Sequence, residues 1–105
     1  IRADPGVVVV EGFNAREMTS AHWRSWSAGE EGPEIVVGDL SFISLRHILP
    51  AIARVVPASA DVVLLVKPQF EVGRTGVKEG LVTDPSARAD AVSGVLWSAW
   101  DSGLG

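Results

Sequence analysis

Two charged residues that stand at the ends of apolar runs are the strongest candidates for chemistry. Asp39 closes the stretch "EIVVGD", and Lys67 closes "DVVLLVK". A carboxylate and an amine held in one small volume could bind a ligand or move a proton. A lysine accepts a proton only as the neutral amine, whereas a nearby carboxylate alone favours the charged form. The plain alternative is that Lys67 is a solvated residue at the end of a strand and that Asp39 is a loop cap.

The two side chains meet only if the apolar runs are neighbouring parallel strands. The runs Glu34 to Leu40 and Asp61 to Lys67 predict strands, and the segment between them is long enough for a crossover helix. Ser44 can cap that helix and Pro57 ends it. Its apolar positions follow the i, i+3, i+4, i+7 pattern of one buried face: Leu45, Ile48, Leu49, Ile52 and Val56. The resulting βαβ unit brings Asp39 and Lys67 to the carboxyl edge of the sheet, where open α/β sheets bind ligands.

The flanking segments predict further elements of an α/β fold. Val7 to Val10 favours a strand buried on both faces, and Asn14 to Trp26 favours a helix. Residues 28–33 predict a loop, and Gln69 to Asp84 predicts an irregular loop above the sheet. A last helix starts at Asp84, with Pro85 at its first position. We expect the following residues to share its packed side: Val92, Val95, Leu96 and Ala99.

The tryptophans predict packing and not a base-stacking platform, and the histidines do not predict a metal site. The four tryptophans form two pairs at helical spacing, Trp23 with Trp26 and Trp97 with Trp100. His22 and His47 are interpreted as helix-face residues, because neither has a second metal ligand at a useful spacing.

Composition limits the functional classes. The 105 residues form at most one domain, and 47% hydrophobic with 21% charged residues is typical of a globular chain. A net charge of −4 argues against electrostatic binding of nucleic acid by this chain alone. The absence of cysteine excludes disulfides and thiolate metal sites, and no apolar run reaches the ~20 residues that span a bilayer. The sequence begins at Ile1, so we expect a piece of a longer protein.

Four stretches carry a family resemblance that covers nearly the whole chain. They are "DPGVVVVEGFNAR", "VVGDLSFISL", "LLVKPQFEVGR" and "GLVTDPSAR". Together the sequence resembles the TlyA (hemolysin A) family of ribosomal RNA 2′-O-methyltransferases, within the FtsJ-like class. The resemblance implies a partial Rossmann-like methyltransferase fold of the α/β class, with a parallel βαβ core and flanking helices. It further implies S-adenosylmethionine as cofactor, ribosomal RNA or a ribosomal subunit as partner, a cytoplasmic location, and no metal or membrane.

The resemblance also implies roles for particular residues. The family's catalytic set is lysine, aspartate, lysine and glutamate, of which Asp39 matches the aspartate and Lys67 the second lysine. Lys67 is the expected general base for a ribose hydroxyl, and Asp39 orients it near the methyl donor. The turn that holds Asn14 lies beside the donor's adenine in the family. Weaker candidates for the donor pocket are Leu40 and Ser41, with Asp39 beside them.

On the RNA side, Gln69, Phe70 and Arg74 follow the lysine, where an aromatic ring could stack on a base and a cation could bind phosphate. Plain alternatives stay open for each weak candidate. Asn14 is equally consistent with an ordinary turn and Ser41 with a local backbone contact. Phe70 is equally consistent with a core residue, and Arg74 with a solvated one.

The parts that the family pattern would add define the expected limits of this chain. Residues 1–105 correspond to one part of an FtsJ-like domain, and the resemblance assigns the S4-type RNA-binding module, the glycine-rich donor loop and the last strands to sequence outside it. In the family's strand order, 3-2-1-4-5-7-6, two strands would lie between Val7 to Val10 and Glu34 to Leu40. The first strand should therefore lack its native partner, and the isolated chain is expected to be inactive. Alternatives are another Rossmann-like nucleotide-binding enzyme and a non-catalytic structural or interaction fragment.

Overall fold

The computed structural model of the chain describes residues 4–27, 32–72 and 81–104. Within these ranges the α-helices are α1 (Ser20–Trp26), α2 (Leu49–Val55) and α3 (Pro85–Asp101), and the strands are β1 (Ile35–Gly38) and β2 (Asp61–Leu64). Short 3₁₀ helices cover Ala15–Glu17, Leu45–His47 and Pro68–Phe70. No helix of these ranges is long and apolar enough to cross a membrane.

The sheet is the parallel pair that the crossover predicted. β1 and β2 are hydrogen-bonded in parallel, with Ile35 opposite Asp61 and Gly38 opposite Leu64. β2 ends at Leu64, three residues earlier than predicted, although Leu65 N still donates to Gly38 O at 2.9 Å. The carboxyl ends of both strands therefore meet at one edge, and the residues that follow them form neighbouring loops.

The core lies between α2 and one face of the sheet. Four residues predicted to share a helix face are buried at 2–4% exposure: Leu45, Ile48, Leu49 and Ile52. The predicted crossover helix is divided, however, into the Leu45–His47 turn and α2. Pro50 lies in the first turn of α2, where its missing N–H is tolerated, so a new helix starts there. Ser44 caps that turn, since its hydroxyl accepts a hydrogen bond from Arg46 N at 3.1 Å.

The two faces of the sheet differ in exposure. Alternate residues pack on the α2 core, among them Val36, Val62, Leu64 and Val66. The opposite face, which we call the open face, carries Ile35, Val37, Val63 and Leu65 at 54–71% exposure. Parallel sheets usually bury both faces. The radius of gyration of 15.5 Å correspondingly exceeds the ~13 Å of a compact domain of this length.

The prediction that Val7–Val10 is a strand buried on both faces is wrong. All four valines are 40–65% exposed, and within the described ranges the segment belongs to no strand. β-branched residues favour an extended backbone, but a strand also needs a partner for its N–H and C=O groups.

The predicted helix from Asn14 to Trp26 is shorter than expected. The chain forms the Ala15–Glu17 turn and then α1, which begins after Thr19. Thr19 and His22 form a reciprocal capping box, which places His22 on the helix as interpreted. Arg54 of α2 fixes this region, because its Nη2 donates to Arg16 O at 2.9 Å and to Met18 O at 3.2 Å.

The last helix begins as predicted but turns a different face inward. Asp84 caps it by accepting from Ser86 N at 3.0 Å, and Pro85 is its first residue. Ala91 and Val95 are 6% exposed, and Ala99 packs on the core. Val92 and Leu96 are exposed, so that half of the predicted face is wrong. The Trp97 and Trp100 pair is also exposed, at 67% and 66%, because small residues at i, i+4 and i+8 form the contact stripe instead.

Candidate functional site at the carboxyl edge of the sheet

Asp39 and Lys67 form an ion pair directly beyond the two strands. Lys67 Nζ lies 2.5 Å from Asp39 Oδ1 and donates a hydrogen bond to Ser41 Oγ at 3.0 Å. The Lys67 side chain is 22% exposed, whereas the Asp39 side chain is 66% exposed. An ammonium group carries three N–H donors, so these two oxygens leave the charge only partly satisfied. The pair is shielded on the lysine side and open on the carboxylate side.

Strand alternation explains why both side chains emerge together. Asp39 has the same parity as Val37, and Lys67 has the same parity as Leu65, so both continue the open face. A shallow hollow of about 390 Å³ lies beside Asp39 on that face. Its lining is mostly apolar: Val37, Gly38, Asp39, Val63, Leu64 and Leu65. A ligand can therefore reach the carboxylate across apolar surface.

Two aromatic rings border the ion pair. Lys67 Nζ lies 5.9 Å from the centroid of the Phe70 ring, within the range of a cation–π contact. Phe42 packs on Phe70 with ring centroids 5.2 Å apart, yet it is 91% exposed. The φ of Phe42 is +65°, a left-handed conformation that a bulky residue rarely adopts. Sequence reasoning did not select Phe42, although it stands three residues after Asp39.

Glu71 is a second residue that sequence reasoning did not select as part of the site. Its side chain is 3% exposed and lies against the start of the Leu45–His47 turn. Ser44 Oγ donates to Glu71 Oε1, and Leu45 N donates to Oε2 at 2.8 Å. Arg46 Nε lies 3.8 Å from the same carboxylate. Two signals could have found it: its position four residues after Lys67, and its place in the stretch "LLVKPQFEVGR" that carries the family resemblance.

The remaining predicted site residues are distributed unevenly. Asn14 caps the Ala15–Glu17 turn by accepting from Arg16 N at 3.1 Å, which is the ordinary turn role. Leu40 packs on the core, and Gln69 is half-buried in the Pro68–Phe70 turn. Arg74 lies outside the described residues. The structure thus brings together Asp39, Ser41, Lys67 and Phe70, while the cofactor and RNA roles of all these residues stay predictions.

Candidate metal ligands do not gather in this part of the chain. Across residues 4–27, 32–72 and 81–104, no three or more histidine and carboxylate side chains lie close enough together to hold a metal ion.

Fold and site together define a Rossmann-like α/β domain with polar side chains at the carboxyl edge of a parallel sheet. The profile of the FtsJ-like methyltransferases matches residues 1–105. The chain belongs to the FtsJ-like methyltransferase family.

Individual relatives agree with this assignment. The 16S/23S rRNA (cytidine-2′-O)-methyltransferase TlyA of Mycobacterium tuberculosis is 45% identical over 104 residues, which cover 98% of this chain and 37% of TlyA. YqxC of Bacillus subtilis, assigned as an rRNA methyltransferase, is 41% identical over 91% of this chain and 33% of its own length. A Lactococcus lactis crystal structure, assigned as a hemolysin, superposes with a TM-score of 0.86 at 38% identity, covering 97% of this chain and 47% of that one. The chain thus spans 33–47% of the length of these relatives.

Proposed function

We propose that these residues are part of a longer enzyme that methylates a ribose 2′-hydroxyl of ribosomal RNA, with S-adenosylmethionine as methyl donor. The observation that carries the proposal is the 2.5 Å pair of Lys67 and Asp39 at the ligand-binding edge of an FtsJ-like domain. The partner would be ribosomal RNA or a ribosomal subunit, bound mainly through regions outside residues 1–105. The enzyme would act in the cytoplasm, where ribosomes are assembled.

The proposed base is the Nζ atom of Lys67. A ribose hydroxyl is a poor nucleophile until its proton is removed, so the neutral amine would accept that proton as the methyl group is transferred. The product of this proton transfer is the ammonium form. Asp39 and Ser41 bind that form through one ion pair and one hydrogen bond, so they stabilise the charge that develops on the base.

The residues present fit the reactive end of the donor. S-adenosylmethionine supplies a methyl group that its positively charged sulfonium has already activated. The Asp39 carboxylate is open to solvent beside an apolar hollow, an arrangement that suits a cation attached to a carbon chain. Ser41 stays a weaker candidate because its hydroxyl already accepts from Lys67. Leu40 and Asn14 are proposed to line the donor pocket on the family resemblance alone.

The proposed RNA side of the site follows Lys67. The Phe70 ring stands next to Lys67 Nζ and offers a face on which a base can stack. Gln69 is its neighbour in the same 3₁₀ turn and carries both a donor and an acceptor. Arg74, which lies outside the described residues, is proposed as a phosphate contact. The alignment of nucleophile, donor and base in one place would supply much of the rate enhancement.

The decisive test compares donor binding by two proteins. S-adenosylmethionine binding is measured by calorimetry on the 105-residue chain and on the chain extended by its upstream and downstream coding sequence. We expect binding by the extended protein and weak or no binding by the 105 residues alone. Methyl transfer to ribosomal RNA by the extended protein is then compared with that of its Lys67→Ala variant.

The outcomes separate clearly. Donor binding together with methyl transfer that Lys67→Ala lowers about 10²-fold or more supports the proposal. If neither protein binds the donor, the methyltransferase activity is wrong for this chain. If transfer occurs but Lys67→Ala retains it, the assignment of the base is wrong while the activity stands.

A further inference from the structure

The loop that follows β1 and the loop that follows β2 leave the carboxyl edge of the sheet and touch at three successive levels. The first level is the contact of Lys67 with Asp39 and Ser41. The second is the packing of Phe70 on Phe42. The third is the bonding of Glu71 to the hydroxyl of Ser44 and the amide of Leu45. At the first level Asp39 is 66% exposed and at the second Phe42 is 91% exposed, whereas at the third the Glu71 side chain is 3% exposed.

We propose that Glu71 is a positioning residue, which fixes the loop of Lys67 against the loop of Asp39 so that the ion pair forms in the geometry required for proton transfer. The inference rests on the proposed function, since it concerns the same reaction. Glu71 does not touch the reacting atoms. It acts through the backbone that joins it to Lys67.

The burial and bonding of Glu71 indicate a fixed arrangement. A buried carboxylate without partners is strongly unfavourable, so its burial at 3% exposure requires that its oxygens be satisfied. Each oxygen accepts from a different donor, Ser44 Oγ and Leu45 N, so the side chain cannot rotate without losing both bonds. Arg46 adds a positive charge at 3.8 Å from Oε1, and its Nη2 donates to Glu71 O at 3.4 Å.

The segment between Lys67 and Glu71 is stiff enough to transmit this position. Pro68 has a fixed φ and begins a 3₁₀ turn. Phe70 N donates to Lys67 O, and Glu71 N and Val72 N both donate to Pro68 O, each at 3.0 Å. A displacement of the Glu71 backbone therefore moves the Lys67 backbone with it.

The lysine itself needs such support. Its ammonium lies at the end of a flexible stem, and its carboxylate partner is largely exposed, so an isolated pair would be only weakly held. A misplacement of about 1 Å can reduce a reaction about 10²-fold. Glu71 provides the second attachment between the two loops that limits this displacement.

The test uses Glu71→Gln in the extended protein. The carboxamide has one acceptor oxygen, so Leu45 N can keep its acceptor only if the N–H₂ group faces Ser44 Oγ, which then can no longer donate to residue 71, and the negative charge opposite Arg46 is lost. We expect kcat for methyl transfer to fall about 10-fold or more, while KM for the donor changes less than about twofold. The matched control is Glu34→Gln, the same chemical change at an exposed residue just before β1, for which both constants should stay the same.

A second background distinguishes positioning from general damage. In the Lys67→Ala background, Glu71→Gln should lower the residual transfer less than about twofold, because the residue that it positions is already absent. An equal loss in both backgrounds would overturn the inference. If Glu71→Gln does not fold, Ser44→Ala removes one bond and keeps the carboxylate; an unchanged kcat in that variant would equally overturn it.

A structural measurement separates this inference from the proposed function. The distance from Lys67 Nζ to Asp39 Oδ1 is measured in a crystal structure of Glu71→Gln. Loss of the 2.5 Å contact supports positioning even if the wild-type protein transfers no methyl group, in which case only the proposed function is wrong. An intact contact in the variant overturns the positioning role, whatever the activity.

Discussion

Replacement of Lys67 by methionine should separate stability from activity. Methionine keeps an unbranched, flexible apolar side chain but removes the ammonium, so the variant loses the contacts to Asp39 and Ser41 and little packing. Because Asp39 is 66% exposed, the lost ion pair contributes only about 0–1 kcal/mol to the free energy of unfolding. A loss of that size lowers the melting temperature by at most about 4–8 °C.

The effect on methyl transfer should be much larger. Loss of a general base reduces a reaction about 10²–10⁴-fold, which corresponds to about 3–5 kcal/mol of transition-state stabilisation. Stability is measured by urea unfolding of the 105-residue chain and transfer with the extended protein on ribosomal RNA. Arg24→Met provides the control, since it removes a charge from an exposed position of α1 and should alter neither quantity.

One result would refute this reasoning. A loss of more than about 2 kcal/mol in unfolding free energy together with nearly unchanged transfer would make Lys67 a structural residue. The ion pair would then belong to the framework of the loops, and the base would have to be sought elsewhere.

Two further predictions concern stability and use the 105-residue chain. Ile52→Ala should lower the free energy of unfolding by about 2–5 kcal/mol, because Ile52 is 4% exposed. Ile35→Ala should lower it much less, because Ile35 is 58% exposed. Equal losses in urea unfolding of the two variants would refute the core assignment. Gly32→Ala should lower the free energy of unfolding by about 1–3 kcal/mol, because the φ of Gly32 is +146° and the new Cβ would lie 2.8 Å from Pro57 Cδ. Gly12→Ala should lower it less, because Gly12 has a φ of +65° but no atom within 4 Å of the new Cβ. The reverse order of melting temperatures would contradict this prediction.

The sequence could predict the βαβ unit because both of its signals are local. The apolar runs around Val36 and Val63 and the buried spacing of Ile48 and Ile52 each follow from short-range periodicity, and the crossover length dictates the parallel pairing. The position of Lys67 beside Asp39 then follows from the shared edge.

Other features depend on distant contacts and could not be read from the pattern. Val7–Val10 has strand-forming residues but no paired neighbour, and propensity alone does not supply one. The face of α3 is chosen by what packs against it, so small Ala91 faces the core while Leu96 is exposed. The left-handed backbone of Phe42 and the hydrogen bond from Leu45 N to Glu71 likewise depend on tertiary contacts.

The register of the two strands has a consequence for insertions and deletions. Partners in the ladder lie 26 residues apart, and Ser41 and Lys67 continue that spacing beyond the strands. A slip by one residue would turn the lysine toward the core face and bury an unpaired ammonium, which is strongly unfavourable. The charges at the edge therefore favour the observed register of the two strands over one that is shifted by one residue. A residue inserted in the turn before β2 should lengthen that turn and leave the register unchanged. A residue inserted within either strand would either bury the charge of Lys67 or break hydrogen bonds between the strands.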